Sequence, residues 1–216
     1  RSTGDIFDNF RSFMGIFTSQ LEHLCQSGPY CFNDMDMLTL GMYNRGNVAI
    51  GKTCTDGEYR IQFSLWCLSG TPLIIGADIR EMKPEMKELL LNTDLIRINQ
   101  DEECRPPCLL GKRSVAVPVT HRENPFDPIR MDKHKLYTLL KHLSHQEFVI
   151  AFYNLFEEEQ EMNCIFADAG LPYESGYGFH MRDIFTGEDL GVKRDYFLAR
   201  VPGHDCKLYF CRLEKC

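Results

Sequence analysis

Hydrophobic residues of the first hundred positions recur mostly at helical spacing. Between residues 6 and about 25 they repeat every three or four positions, which predicts an amphipathic helix. Thr55 and Glu58 have the spacing of a capping box and predict the start of a second helix. Pro84 is expected to open a third helix that runs through Leu91, and residues 95–100 close the region.

Two stretches between these helices predict strands that end in acidic residues. Residues 28–38 hold two carboxylates and an amide inside an apolar frame, for which a solvated turn is the alternative. Residues 72–78 form a continuously apolar run, typical of a buried parallel strand, and end in Asp78. Helices that alternate with such strands predict the C-terminal part of a (β/α)8 TIM barrel, in which strand ends carry the chemistry.

Past Cys108 the pattern changes to short β-prone runs separated by polar turns. Seven runs are visible, at 114–119, 136–142, 148–154, 163–167, 179–185, 195–201 and 206–213. Their close spacing predicts an antiparallel β-sandwich. The fold class is therefore α/β plus all-β, with the barrel portion over residues 1–103 and the β-sandwich domain over residues 104–216.

Composition and charge exclude some function classes. The net charge of −7 argues against a nucleic-acid partner and against an anionic membrane surface. No apolar run approaches the ~20 residues that a membrane-spanning helix needs. The ten cysteines are spread along the chain, and we expect reduced thiols and a cytoplasmic location, with secretion left open. Because the chain begins with Arg1 and enters a motif at once, we interpret it as a piece of a longer protein.

Metal binding is the least supported chemistry. His142 and His145 have no third ligand at a recognisable spacing, and His204 and Cys206 are interpreted as a structural pair. The acidic run at residues 33–36 lacks the glycine and the terminal glutamate of a calcium loop. We therefore expect no metal and no cofactor.

Six motifs follow one another in a fixed order along the first part of the chain. They are Arg1-x-x-x-Asp5-Ile6, then Gly28-Pro29 with Phe32-Asn33-Asp34-x-Asp36-Met37-Leu38, Phe63-x-Leu65-Trp66, Pro72-Leu73-Ile74-Ile75, Asp78-Ile79-Arg80 and Ile98-Asn99-Gln100-Asp101. This order resembles glycoside hydrolase family 27, the α-galactosidases. The chain is similar to the C-terminal half of that family's catalytic barrel, and residues 183–191 and 204–209 resemble its C-terminal β-domain.

The resemblance implies a retaining glycoside hydrolase that releases terminal α-linked galactose from α-galactosides. Such enzymes use two carboxylates about 5 Å apart, one as nucleophile and one as acid and then base. Asp5 matches the acid/base residue, and Arg1, Asp36 and Met37 match residues of the sugar pocket. Preference for galactose, N-acetylgalactosamine or arabinopyranose stays open.

Departures from the family pattern limit this interpretation. The nucleophile motif, Tyr-x-Lys-Tyr-Asp-x-Cys, is absent from the chain. We therefore expect the chain to carry half of the site, to be inactive alone, and to need the missing N-terminal half of the barrel as its partner. Phe10, Phe32 and Met35 stand where the family has Trp, Trp and Pro, and Asn33 and Asp34 are assigned structural roles.

A non-catalytic carbohydrate-binding or structural fragment is the alternative. In that case Tyr173, Tyr177 and Phe179 of the β-domain could stack on a sugar ring. Asp5 would then serve as the N-cap of the first helix.

Overall fold

The N-terminal part of the chain is built from helices joined by extended segments. In the computed structural model the described residues are 1–114 and 134–216. The α-helices among them are α1 (Phe10–Gln20), α2 (Asp56–Ser69), α3 (Pro84–Leu90) and α4 (Thr93–Asn99). A 3-10 turn over Leu24–Gln26 follows α1. All three helices predicted from periodicity, caps and Pro84 are therefore present.

The first helix is shorter than the prediction, because its N-cap is Asn9. The side chain of Asn9 accepts the N–H of Ser12 at 2.8 Å. The interpretation of Asp5 as the cap is therefore wrong. The capping box of α2 is confirmed, since Thr55 Oγ1 accepts the Glu58 N–H at 3.2 Å and Glu58 Oε2 accepts the Thr55 N–H at 2.7 Å.

The two predicted barrel strands are reduced to a single parallel bridge, between Leu38 and Ile75. Backbone N–H groups that a longer pair of strands would use for pairing are bonded to side chains instead. The N–H of Met35 bonds Thr71 Oγ1, and the N–H of Met37 bonds the side chain of Asp36. Local side-chain bonds of this kind compete with strand pairing. The predicted strands at 28–38 and 72–78 are thus too long, although the segments do lie side by side.

The C-terminal part is an antiparallel β-sandwich, as predicted. Its strands are β1 (Cys108–Ser114), β2 (His134–His142), β3 (Glu147–Asn154), β4 (Gln160–Ile165), β5 (Tyr177–Asp183), β6 (Asp189–Lys193), β7 (Tyr196–Val201) and β8 (Asp205–Lys215). A large sheet has the order β1-β2-β3-β8-β5-β6, and β4 pairs with β7. β1 and β6 were not predicted, and the predicted run at 114–119 lies outside the described residues after Ser114.

The two faces of the large sheet bury different cores. Cys206 belongs to the core that the sheet shares with the helices, whereas Cys211 belongs to the core between the two sheets. Residues that are five positions apart on one strand face opposite sides of the sheet, which accounts for the difference. The domain boundary between residues 103 and 104 stays a prediction.

Helix α2 is anchored to the turn that precedes β8. His204 Nδ1 lies 2.6 Å from Glu58 Oε1, and Arg60 pairs with Asp205. A Cβ atom on Gly57 would lie 2.6 Å from the His204 carbonyl oxygen, so the helix approaches this turn closely enough to need a glycine. Within the described ranges, none of the helices has both the length and the apolar character to cross a membrane.

Candidate functional site

Asp5 and Asp36 bind the same guanidinium group. One terminal nitrogen of Arg1 donates to Asp5, and the other donates to Asp36. These hydrogen bonds, the one to Asp5 first, raise the pKa of Arg1 above its ordinary value. The structure thus brings together three of the four residues that the sequence predicts for the site.

Asp36 is held in place through its main chain and its side chain. It has a φ of 71°, in the left-handed region that Asp tolerates better than most residues. Its carboxylate accepts the N–H groups of Ile6 at 2.9 Å and of Met37 at 2.8 Å. Its own N–H bonds Asp34 Oδ1 at 2.9 Å, and its carbonyl accepts the indole N–H of Trp66 at 2.8 Å. Asp36 is therefore a fixed element of the site.

Asp5 differs from Asp36 in exposure and in its number of partners. Its side chain is 73% exposed, against 13% for Asp36. Within the described residues, its carboxylate has one side-chain partner, Arg1. Asp5 can therefore meet a ligand from solvent, while Asp36 is restrained by three donors.

Met37 lies beside the bridge that joins the two extended segments. It is partly buried and packs against the main core. A Cβ atom on Gly76 would lie 2.4 Å from the Met37 sulfur, so the Met37 side chain packs directly against the backbone of Gly76. The sugar-contact role of Met37 stays a prediction.

Asn33 and Asp34 fix the backbone before Asp36. The side-chain amide of Asn33 donates to the His23 carbonyl at 2.9 Å. The carbonyl of Asp34 accepts both the N–H and the hydroxyl of Ser2 at 3.0 Å. These contacts are of the structural kind expected for the two residues.

A buried carboxylate next to the site was missed. Asp8 is fully buried and accepts the N–H of Asn44, the hydroxyl of Thr53 and the hydroxyl of Tyr59, at 2.8, 3.2 and 2.7 Å. Asp8 thereby ties the loop over residues 41–54 to the segment that follows Asp5. The sequence placed Asp8 inside the first predicted helix, which hid this role.

The structure does not bring several other candidate residues, for metal binding or for sugar stacking, together into a site. No cluster of three or more His, Cys, Asp or Glu side chains suited to a metal occurs within residues 1–114 and 134–216. His142 and His145 are exposed, and His204 contacts Glu58. Phe179 is 3% exposed in the sandwich core, so the interpretation of Phe179 as a sugar-stacking residue is wrong. Tyr173 is 58% exposed.

A polar cleft of about 260 Å³ lies where α4 meets the large sheet. Its lining is Arg97, Glu147, His180, Arg182, Asp189, Phe210 and Arg212. Arg97 pairs with Glu147, and His180 lies 2.8 Å from Glu214 and 2.7 Å from Asp189. Hydrogen bonds, to Glu214 first and then to Asp189, raise the pKa of His180. Since these charges are largely matched within the cleft, the residues around Arg1 are the better candidate site.

Two family models match the chain. A model described as alpha galactosidase A matches residues 1–101, and one described as the alpha galactosidase C-terminal beta sandwich domain matches residues 133–211. Together they cover both the helical part and the β-sandwich.

Relatives and solved structures are similar to the chain over nearly its whole length. An α-galactosidase of Oryza sativa is 39% identical over 97% of the chain, which covers 42% of that protein. α-Galactosidase I of Mortierella vinacea has a TM-score of 0.77 at 21% identity, over 98% of this chain and 52% of that one. A β-L-arabinopyranosidase of Geobacillus stearothermophilus has a TM-score of 0.77 at 18% identity, over 97% of this chain and 43% of that one. At these identities the structures show the fold, and the chain spans less than half the length of the curated relatives.

Proposed function

Because the chain belongs to glycoside hydrolase family 27, the α-galactosidase family, whose C-terminal region it represents, we propose that it supplies the acid/base half of a retaining α-galactosidase active site. The reaction releases terminal α-linked galactose. The other half, with the nucleophile, comes from the N-terminal part of the barrel.

Asp5 is the acid/base residue in this proposal. Its carboxylic acid donates a proton to the glycosidic oxygen while the nucleophile attacks the anomeric carbon and the C–O bond breaks. Its carboxylate then takes a proton from the water that releases galactose from the covalent intermediate. The observation that carries this assignment is the contrast in exposure between Asp5 and Asp36 around one Arg1.

Arg1, Asp36 and Met37 bind the sugar. Asp36 and Arg1 present fixed acceptors and donors to galactose hydroxyls, and Met37 offers an apolar side. Because Asp36 already accepts from Ile6, Met37 and Arg1, it suits orientation better than nucleophilic attack. The attacking carboxylate therefore lies outside this chain, about 5 Å from Asp5 as retention requires.

The partner is the front half of the barrel. Ile74, Ile75 and Ile79 are 57%, 46% and 58% exposed along and just after the extended segment at residues 72–78. Backbone pairing of this segment, with Leu38, is seen on one side. An apolar edge of this kind suits an adjoining parallel strand.

Reconstitution tests the proposal. The chain is co-expressed with the N-terminal half of the rice relative and assayed on 4-nitrophenyl α-galactoside. We expect turnover by the complex, none by the chain alone, and a loss of about 100-fold or more with Asp5→Asn.

A matched carboxylate variant serves as the control. Asp168→Asn changes an exposed aspartate of the β-sandwich and should leave turnover unchanged. The proposal is wrong if the complex is active and Asp5→Asn has no effect, or if the chain alone hydrolyses the substrate. The same assay with α-N-acetylgalactosaminide and β-L-arabinopyranoside substrates shows which sugar the complex prefers.

A further inference from the structure

Side chains alternate between exposed and buried from residue 5 to residue 8. Asp5 and Phe7 are exposed, whereas Ile6 and Asp8 are 1% and 0% exposed. A period of two is typical of an extended chain, in which residues two positions apart share a face. Asp5 and Phe7 therefore stand on the same, solvent-facing side, and Phe7 is 37% exposed.

The segment that carries Phe7 is held rigidly. The N–H of Phe7 bonds Ser12 Oγ at 2.9 Å, and the N–H of Asp8 bonds the Val48 carbonyl at 2.9 Å. The side-chain amide of Asn9 donates to the Ile50 carbonyl at 3.0 Å. The exposed ring is thus presented by a fixed backbone.

We propose that Phe7 is the platform for the leaving group of the substrate. The inference rests on the proposed function, because an acid at Asp5 must reach the glycosidic oxygen. The group attached to that oxygen then lies on the outer side of Asp5, and Phe7 follows about 6–7 Å further along the same face. Phe7 is thereby a specificity-determining residue.

The ligand chemistry follows from the ring. An exposed phenyl face packs against a flat apolar surface, either an aromatic aglycone or the carbon-bound face of a further pyranose ring. Ile50 is a second exposed apolar residue, 55% exposed, in the loop whose main chain Asn9 binds. Single exposed apolar residues are common on proteins, so the test must separate recognition from plain surface.

The reconstituted complex provides the first test, with three substrates. α-Galactosyl fluoride has no ring in its leaving group, 4-nitrophenyl α-galactoside has an aromatic ring, and an α-galactosyl disaccharide has a pyranose ring. Phe7→Ala should lower kcat/KM about tenfold for one or both ring-bearing substrates and leave the fluoride unchanged. Tyr196→Ala, which removes an aromatic side chain 58% exposed on the β-sandwich, should change none of them.

Equal losses on all three substrates, or no loss on any, would overturn the assignment. The losses of kcat/KM on the aromatic substrate and on the disaccharide, compared with each other, show which kind of ring Phe7 binds.

A second measurement does not depend on turnover. The fluorine NMR signal of 4-fluorophenyl α-galactoside is recorded with the 216-residue chain. The wild-type chain and Tyr196→Ala should broaden the signal, and Phe7→Ala should not. Absence of broadening with the wild type, or equal broadening with Phe7→Ala, contradicts the inference, whereas absence of turnover by the wild-type complex contradicts the proposed function.

Discussion

The indole N–H of Trp66 donates to the main-chain carbonyl of Asp36, with a nitrogen–oxygen distance of 2.8 Å. Trp66 is fully buried in α2, and Asp36 has a left-handed backbone at the candidate site. A helix residue thus fixes the conformation of a site residue that lies 30 positions earlier in the chain.

Trp66→Phe should loosen Asp36 and destabilise the chain. The change leaves the carbonyl of Asp36 without its donor and opens space in the core, so a loss of about 2–3 kcal/mol in the free energy of unfolding is expected. Urea denaturation measures it. The amide NMR signals of Ile6 and Met37, which bond the Asp36 carboxylate, should also shift.

Phe13→Leu is the matched control. Phe13 packs edge-on against Trp66, with ring centroids 6.5 Å apart, and takes no part in the bond to Asp36. The Phe13→Leu variant should have a lower free energy of unfolding while the amide NMR signals of Ile6 and Met37 stay in place. Equal shifts in both variants would contradict the positioning role of Trp66.

Two buried serines of α2 should respond in opposite ways to alanine. Ser64 Oγ donates to the Ile61 carbonyl and accepts the Tyr153 hydroxyl, both at 3.1 Å. Ser69 Oγ is buried and finds no hydrogen-bond partner among the residues that the structure describes. Ser64→Ala should cost about 1 kcal/mol, and Ser69→Ala should be neutral or stabilising. Thermal unfolding of the two variants compares them, and a larger loss for Ser69→Ala would contradict this reasoning.

Local signals made the helices predictable. The capping box of Thr55 and Glu58 and the proline at position 84 act within one turn, and both mark the helix starts that the structure shows. Strands depend on partners far along the chain. β6 pairs with β5 at the edge of the sheet, and its sequence, Asp-Leu-Gly-Val-Lys, has little β-prone character of its own.

The candidate site was predictable only in part. The resemblance supplied Arg1, Asp5, Asp36 and Met37, and the structure joins the first three. The bonds that hold Asp36 could not be predicted, because the donor of Trp66 comes from a distant helix and the left-handed φ has no glycine to mark it. Asp8 was hidden inside the predicted helix.

Gly57→Ala should destabilise the chain although alanine favours helices. Alanine is preferred over glycine in a helix by about 1 kcal/mol. Here the added Cβ would lie 2.6 Å from the His204 carbonyl oxygen, so α2 and the β-sandwich must separate locally. We expect a net loss of about 1–2 kcal/mol by urea denaturation. Gly28→Ala, whose Cβ would meet nothing within 4 Å, should stay within about 0.5 kcal/mol of the wild type.

The open barrel edge should make the isolated chain self-associate. Ile74 and Ile75 are 57% and 46% exposed, and neighbouring exposed apolar side chains on an edge segment favour edge-to-edge contacts. Ile75→Glu should lower the apparent mass in size-exclusion chromatography with light scattering. Leu91→Glu, at a residue 73% exposed just after α3, should not. A monomeric wild-type chain at high concentration would refute this expectation.

Lys141 should make part of the stability of the chain rise with pH. It is 1% exposed, and its ammonium group donates to the carbonyls of Leu68 and Arg105 at 2.9 and 2.8 Å. Burial lowers the pKa of Lys141 to about 8, partly opposed by Asp101. Between about pH 8 and the ordinary lysine value of 10.5, the unfolded chain binds more protons than the folded chain, so this contribution grows as pH rises and is lost as pH falls through 8.

The shift in the pKa of Lys141 sets the size of its contribution to the free energy of unfolding. The contribution reaches at most about 3.5 kcal/mol at about 1.4 kcal/mol per pKa unit. Burial also raises the pKa of thiols such as Cys67 and Cys206, and these groups reduce stability as pH rises. The quantity to measure is therefore the difference in the free energy of unfolding between the wild type and Lys141→Met, by urea denaturation from pH 7 to pH 10. A difference that stays constant or falls over this range would show that the fold does not lower the pKa of Lys141.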